Sequence, residues 1–190
     1  MLNPNVMTTQ INIATGTLVG PTKKKLAKSV SKAVCRWAKL QSNVLILGST
    51  NGAAGTGRVQ GKMFFVPNTV AMNAAFSAVG LNGPSARQLA SGLAIGITTA
   101  LNTTAQYRGS STGAIGADVS KVVFVNPATL IPLLKSSLGS QKINGLSTNL
   151  LCIAISNGVA GIMLTGTGTG VSVGGAGPAP STGISRSKLY

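Results

Sequence analysis

Acidic residues are almost absent from this sequence, and histidine is absent altogether. Asp118 is the single acid against 16 lysines and arginines, which gives a formal net charge of +15. General acid-base catalysis, two-metal sites and histidine-activated nucleophiles all require side chains that this chain does not have. We therefore expect a protein that is not an enzyme, with no catalytic residues, no metal and no cofactor.

Aromatic residues and cysteines are also scarce. Aromatics make up 4% of the chain, whereas 25 residues are glycine, so the core must be aliphatic with close backbone contacts. The hydrophobic fraction of 44% is sufficient for a folded chain. Cys35 and Cys152 lack the spacing of a metal or redox motif, so we predict two buried free thiols and no disulfide.

The first twenty residues lack the basic-then-apolar order of a secretory signal. Residues 143–185 carry no charge, and residues 146–164 have about the length of a membrane span. Asn149, Ser156 and Asn157 interrupt this stretch, which favours a helix buried against protein over a membrane segment. We expect a protein made in the cytoplasm, or in an assembly built there, with no membrane partner.

Similar segments recur along the chain at a spacing of about 60 residues. The sequence LVGPT at 18–22 resembles LNGPS at 81–85 and INGLS at 143–147. The glycine-rich residues that follow are also similar between the segments. We therefore predict three repeat units, and leave open whether they stack linearly or close around an axis. The predicted units span residues 1–62, 63–122 and 123–190, the last ending in a Gly/Thr/Pro-rich C-terminal arm.

Each predicted unit contains a turn, a capped helix, a short extended segment and a Gly/Thr-rich loop. Thr22, Ser85 and Ser147 are predicted helix N-caps, because a hydroxyl there accepts a backbone N–H of the first turn. The expected long helices span 22–41, 85–101 and 147–164. Shorter helices are expected at 69–79 and 128–138, and a strand at 7–17, which is rich in Thr and Ile.

The predicted fold class is α+β and helix-dominated, with three degenerate repeats of about 60 residues packed as one unit. A piece of about 60 residues buries too little surface to be stable by itself, so the units must pack together. The glycine-rich run at 48–57 lacks the register of a phosphate-binding loop, because Met63 follows Gly61-Lys62 where a hydroxyl is needed. We interpret this run as a structural turn.

The first long helix is strongly basic. Its apolar residues follow a helical period and form one stripe: Leu26, Val30, Ala33, Val34, Trp37 and Leu40. Its cations form a second stripe, and we predict that these cations make the main contact with an anionic partner. They are Lys23, Lys24, Lys25, Lys28, Lys32, Arg36 and Lys39. A charge excess of this sign attracts nucleic acids or acidic protein surfaces, and the alternative is a merely solvated face.

The pattern LNGPSA at 81–86, followed by LASGLAIG at 89–96, resembles repeats in small virion structural proteins of tailed bacteriophages. The Gly/Thr-rich ending at 165–183 is similar to theirs as well. The resemblance implies a structural protein of the head, neck or tail that is located in the virion after assembly in the host cytoplasm.

We further expect oligomers of this chain and no small-molecule substrate. The charge excess predicts contacts with other virion proteins of acidic character or non-specific contact with DNA. The basic first unit departs most from the pattern. Two alternatives stay open: a nucleic-acid-binding or packaging protein that acts through the basic helix, and a protein active at a membrane surface.

Overall fold

The computed structural model describes residues 2–14, 21–41, 44–51, 57–62, 65–111, 115–173 and 181–189. Within these ranges, pairs of helices alternate along the chain with pairs of strands. The helices are α1 (Pro4–Ala14), α2 (Pro21–Gln41), α3 (Thr69–Ser77), α4 (Pro84–Thr104), α5 (Pro127–Ser140) and α6 (Leu146–Thr165). The strands are β1 (Val44–Asn51), β2 (Gly57–Lys62), β3 (Gln106–Ser111), β4 (Ile115–Phe124), β5 (Thr167–Val173) and β6 (Ser181–Leu189).

The helices form a closed ring. Each helix contacts the next one in the chain, and α6 returns to contact α1. The core of the ring is mostly aliphatic. Among the described residues, Trp37 and Phe76 are the aromatic side chains that are fully buried in it. Contacts of α6 with β4 and of α2 with β6 join the ring to the strands.

The strands form one closed antiparallel barrel in chain order. Each strand pairs with the next, and β6 pairs with β1 over seven registered positions from Val44 opposite Ser187 to Thr50 opposite Ser181. Because the barrel is closed, none of the six described strands has an unpaired edge. In open sheets such an edge is a template for aggregation. The register shifts once, between Gln106 and Tyr107 of β3.

Glycines permit the closest helix contacts in the ring. A Cβ added at Gly96 of α4 would lie 3.1 Å from the Cα of Leu134 in α5. At Gly158 of α6, an added Cβ would lie 2.5 Å from Cγ and 3.0 Å from Cβ of Met7 in α1. The α4–α5 contact is further fixed by the Ser137 hydroxyl, which donates to the carbonyl of Gly92 at 2.7 Å.

The predicted fold class is wrong. Where the structure describes side chains it is 79% helical rather than mixed, and nothing in it supports three repeats of about 60 residues. The most extensive helix contacts, α4–α5 and α1–α6, cross the predicted unit boundaries, and the extended segments pair with one another in a shared barrel. The physical reason is that each helix packs against two neighbouring helices, so a single pair of helices cannot bury all of its apolar side chains. The boundaries at 62 and 122 stay a prediction.

The predicted strand at 7–17 is also wrong as far as residue 14, because this segment is the helix α1; residues 15–17 lie outside the described residues. Met7 and Ile11 are buried at the i, i+4 spacing of one helix face. The Thr8 hydroxyl donates to the carbonyl of Pro4 and the Thr9 hydroxyl to that of Asn5, both at 3.0 Å. Burial therefore overrides the β propensity of Thr and Ile.

The predicted hydroxyl caps are not used. Gly83 and Gly145 hold the N-cap positions of α4 and α6 with positive φ of 105° and 137°, and neither helix has a side-chain cap. Ser85 and Ser147 each lie two residues after the N-cap position, and α2 begins at Pro21, before Thr22. Proline is suited to the first helical position because its missing N–H is not needed there.

Asparagines cap the two shorter helices instead. The Asn68 Oδ1 atom accepts the Ala71 N–H at 2.9 Å, and the Asn126 Oδ1 atom accepts the Ala128 N–H at 3.0 Å. The positions of all five predicted helices otherwise agree with the structure to within a few residues.

We predict that Gly158→Ala destabilises the protein by about 1–3 kcal/mol, because the added methyl group overpacks the α1–α6 contact beside the backbone of Met7. The gain in helix propensity offsets up to about 1 kcal/mol of this. Urea unfolding monitored by circular dichroism measures the effect. Gly139→Ala is the control, because its Cβ would meet only the Asn144 side chain at 3.3 Å. Equal stability of the two variants would contradict the close approach.

Candidate anionic-partner interface

The predicted cations all lie on α2, and the five whose side chains are described are all exposed. These are Lys25, Lys28, Lys32, Arg36 and Lys39. Lys23 and Lys24 belong to the first turn of α2, and their side chains lie outside what the structure describes. We call the five exposed residues the α2 cation stripe.

The α2 cation stripe is straight and narrow. At 100° per residue its members fall within about 80° of the helix circumference, and from Lys25 to Lys39 it is about 21 Å long at 1.5 Å per residue. Consecutive members are three or four residues apart, so neighbouring cations repel one another. The stripe is therefore a linear array of positive charge on the outer surface of the helix ring.

The remaining circumference of α2 is buried almost completely. Besides the predicted Val30, Ala33, Val34 and Trp37, the buried set contains Ala27, Ser31, Cys35 and Ala38. This buried face covers about 200° of the helix, which is wider than the predicted stripe. The physical reason is that α2 packs between α1 and α3 and also contacts β6.

One member of the predicted apolar stripe is not buried, since Leu26 is 47% exposed near the start of α2. Leu40 has a side chain outside the described set. The Ser31 hydroxyl, which is fully buried, donates to the carbonyl of Ala27 at 2.7 Å and so needs no other partner.

Trp37 fixes the rotation of α2 about its axis. Its side chain is fully buried, its Nε1 donates to the carbonyl of Asn68 at 3.2 Å, and its ring stacks with Phe65 at a centroid distance of 6.4 Å. The Asn102 side chain in turn bonds both the N–H and the carbonyl of Phe65. The α2 cation stripe therefore faces outward because the opposite side of the helix is anchored to the start of α3.

Few intramolecular counter-charges are available to the stripe. The only acidic side chain of the chain, Asp118, belongs to β4, so it can neutralise at most one of the stripe's cations. A surface with this imbalance attracts anions over a distance set by ionic strength.

The two cysteines are buried and free, as predicted. Burial raises the pKa of the Cys35 thiol to about 11, against an opposing effect of Lys39. Burial also raises the pKa of Cys152, against an opposing effect of Lys135. Both thiols are consequently protonated at neutral pH, which is the unreactive form.

Other features of the described residues are poorly suited to small ligands. They contain no cluster of three or more His, Cys, Asp or Glu residues that could hold a metal. A cavity of about 60 Å³ between α3 and α4 is lined in part by Asn73, Phe76, Leu81 and Arg87. Pockets for ligands usually have about 300 to 1,000 Å³.

One helix among the described residues, Ser147–Thr165, is long and apolar enough to cross a membrane. Half of its most apolar window is buried, and it packs against α1 and α5. This agrees with the expected helix buried against protein.

Six further cations, which were not predicted as candidate site residues, belong to the strands: Arg58, Lys62, Arg108, Lys121, Arg186 and Lys188. The sequence signal that could have identified them is the even spacing of Arg58 with Lys62 and of Arg186 with Lys188, because residues an even number apart fall on the same face of a strand.

Comparison with protein-family models, curated proteins and solved structures finds no match for this chain.

We predict that the free energy of unfolding falls as the pH rises from 9 to 11, in part because of Cys35. Its folded pKa is raised from 9.0 to about 11, so in this window the unfolded chain releases a proton that the folded chain retains. Below pH 9 the thiol is protonated in both states and this contribution is fully present. Cys35→Ala should show a shallower fall than the wild type in urea titrations at pH 8, 9, 10 and 11. Parallel curves would contradict the buried thiol.

Proposed function

We propose that this protein is a non-catalytic structural subunit of a viral particle of the tailed-phage type, in the head, neck or tail. In this proposal α2 contacts an anionic neighbour, either an acidic subunit or packaged DNA. The supporting observation is the α2 cation stripe, which is exposed on a helix whose opposite face is buried, in a chain with one acid.

The charge of the chain favours a subunit over a free-standing protein. Repulsion among unneutralised cations destabilises the isolated chain and is relieved when a polyanion or an acidic surface binds. The described helices and strands both close on themselves, so charge and exposed side chains, rather than open sheet edges, are available for assembly.

Non-specific nucleic-acid binding is the second candidate function, and the same stripe favours it. Cations at every turn of one helix face suit a polyphosphate backbone, which is contacted without regard to sequence. Packaging of nucleic acid and assembly of a particle are compatible roles for one subunit.

Membrane-surface activity is less well supported. An interfacial helix inserts its apolar face into the bilayer boundary, whereas the apolar face of α2 is buried between its neighbours. Binding of α2 to a bilayer in that manner would require the helix ring to open.

We predict that Lys25→Gln, Lys28→Gln, Lys32→Gln and Arg36→Gln, combined in one variant, leave the fold intact and weaken binding of anionic partners. Two probes are used: a 30-base-pair DNA duplex and poly-glutamate, each followed by fluorescence anisotropy over a salt series. For duplex DNA the slope of log affinity against log salt should decrease by about 3.6 when four phosphate contacts are lost.

The control for this variant exchanges lysine and arginine at the same four positions and keeps the charge. It should bind like the wild type. Unchanged affinity and slope in the glutamine variant would show that the stripe is only a solvated face. Loss of affinity for poly-glutamate alone would indicate that the stripe contacts acidic subunits. Loss of affinity for DNA would indicate that it contacts packaged nucleic acid.

We also predict that neutralising the charge promotes self-association, as a subunit present in many symmetric copies requires. Wild-type protein mixed with either probe at equal charge should form oligomers of uniform mass, measured by mass photometry and light scattering. Complexes that contain a single copy of the chain at every ratio would contradict the structural-subunit proposal without affecting the assignment of the stripe.

A further inference from the structure

The outward face of α6 carries apolar side chains where the outward face of α2 carries cations. Leu150, Ile153 and Leu164 are 39%, 38% and 49% exposed. Asn157 is exposed between them, and Gly161 is partly buried. At 100° per residue these five positions fall within about 80° of the helix circumference, over a length of about 21 Å. We call them the α6 apolar stripe.

The α6 apolar stripe has the spacing of a surface that pairs with another helix. Its members follow one another at intervals of three, four, four and three residues, which is the heptad period of helices that pack side by side. Leucines lie at both ends, and the amide of Asn157 lies at the centre. A single asparagine in such a stripe fixes the register of two paired helices, because only one alignment lets the two amides bond each other.

The stripe is also symmetric about Asn157. Leu150 and Leu164 lie seven residues to either side of it, and Ile153 and Gly161 lie four residues to either side. If two copies of α6 pack antiparallel about a two-fold axis through Asn157, each Leu150 meets a Leu164 and each Ile153 meets the smallest residue. A contact between identical subunits requires a self-complementary surface of this kind. The symmetry therefore favours a second copy of this chain over an unrelated partner.

The distribution of charge favours the same occupant. Helices α1 and α6 pack against each other and contain no charged residue, whereas the chain has a net charge of +15. Two copies can therefore meet at α6 without bringing cations together, which they cannot do through α2. The face offers a polyanion no cation to bind. Lys135 of the adjacent α5 lies at its rim, since its charge acts on Cys152 of α6.

The available area suits a weak contact between two copies. Helix α6 is about 30 Å long, and with α1 and α5 at interaxial distances of about 8–10 Å it is the centre of a surface about 20 Å wide. Two copies can thus bury about 1,200 Å² together, which is the lower limit of standard interfaces. Repulsion between two chains of this net charge weakens the contact at low ionic strength.

We propose that the α6 apolar stripe is a two-fold contact between copies of this chain, in which two α6 helices pack antiparallel about Asn157. For its biological role this contact rests on the proposed function, which requires copies of the subunit to meet, and it names the surface at which they do. It shares no residue with the α2 cation stripe. Salt therefore has opposite effects on the two surfaces: it strengthens the contact between copies and weakens the binding of polyanions.

The first test is sedimentation equilibrium of the wild type without any polyanion, in 0.1 M and in 1 M NaCl, where the Debye length is about 10 Å and about 3 Å. We expect an equilibrium of monomer and dimer that shifts toward the dimer at the higher salt concentration. In a variant with substitutions at the three large apolar positions, the dissociation constant of the dimer should rise about tenfold or more. These substitutions are Leu150→Gln, Ile153→Thr and Leu164→Gln.

The matched control removes as many exposed apolar side chains from other surfaces. It combines Val66→Thr, Val70→Thr and Ile95→Thr, at residues that are exposed on α3, on α4 and before α3. The control should associate like the wild type. Circular dichroism and urea unfolding of both variants separate loss of the contact from loss of the fold.

A cysteine on the two-fold axis tests the geometry of the contact. In the antiparallel pair, Asn157→Cys brings two thiols together near the Cβ separation of about 3.5–4.5 Å that a disulfide needs. With air and copper–phenanthroline as oxidant, its covalent dimer should form at least about tenfold faster than that of Thr99→Cys, because the contact raises the effective concentration of the thiol. Thr99 is exposed on α4 and serves as the control. The native cysteines are buried in both variants.

Three results would overturn the inference: a wild type that stays monomeric at high salt, equal dissociation constants for the α6 variant and its control, or equal cross-linking of Asn157→Cys and Thr99→Cys. Flotation of the wild type, but not of the α6 variant, with vesicles of neutral phosphatidylcholine would also overturn it and assign the face to a bilayer.

Failure of this inference is distinguishable from failure of the proposed function. If salt induces the α6 dimer but polyanions induce no oligomers, the proposed function is wrong and the contact between copies remains. If polyanions induce oligomers but salt induces no dimer, the α6 contact is wrong and the proposed function remains.

Discussion

The scarcity of acid is the constraint on which the rest of this structure depends. With 16 cations and one acid, the chain cannot neutralise most of its charge by ion pairs between its own side chains. The polar side chains that are buried among the described residues are accordingly hydroxyls only: Ser31, Thr98, Ser137, Thr148 and Ser156. Hydroxyls can donate to nearby backbone carbonyls, as Ser31 and Ser137 do, and need no counter-charge.

The scarcity of acid also explains why small residues are needed where the helices of the ring pack against one another. A ring of helices buries one side of each helix, and with one acid in the chain its interior cannot rely on ion pairs to fix its geometry. Glycine at the α1–α6 and α4–α5 contacts lets the helices approach closely. The geometry of the ring is therefore specified by close packing of small and aliphatic groups, and the charged side chains that the structure describes are exposed.

Local sequence patterns predicted much of the helical part and little of the remainder. The long helices were found because their apolar residues recur at the helical period and because Gly-Pro and Asn-Gly turns precede them. The segment at 7–17 was misjudged because a preference of Thr and Ile for strands is weak against burial of Met7 and Ile11. The barrel was not predictable by the same means, since β1 pairs with β6 across nearly the whole chain and register between distant segments has no local signature.

The cations of α2 and those of the strands differ in how well the sequence predicts their positions, for the same reason. The α2 cation stripe lies within one helix, so its spacing along the sequence directly gives its place on one helix face, although the width of the buried face and the exposure of Leu26 depend on the neighbouring helices. The strand cations come from four strands, and only the register shows how these strands are placed beside one another. Of the 16 cations, seven therefore belong to α2 and six to the strands, so the charge of the chain is spread along the sequence rather than confined to one element. Spreading like charges over a larger distance lowers their mutual repulsion.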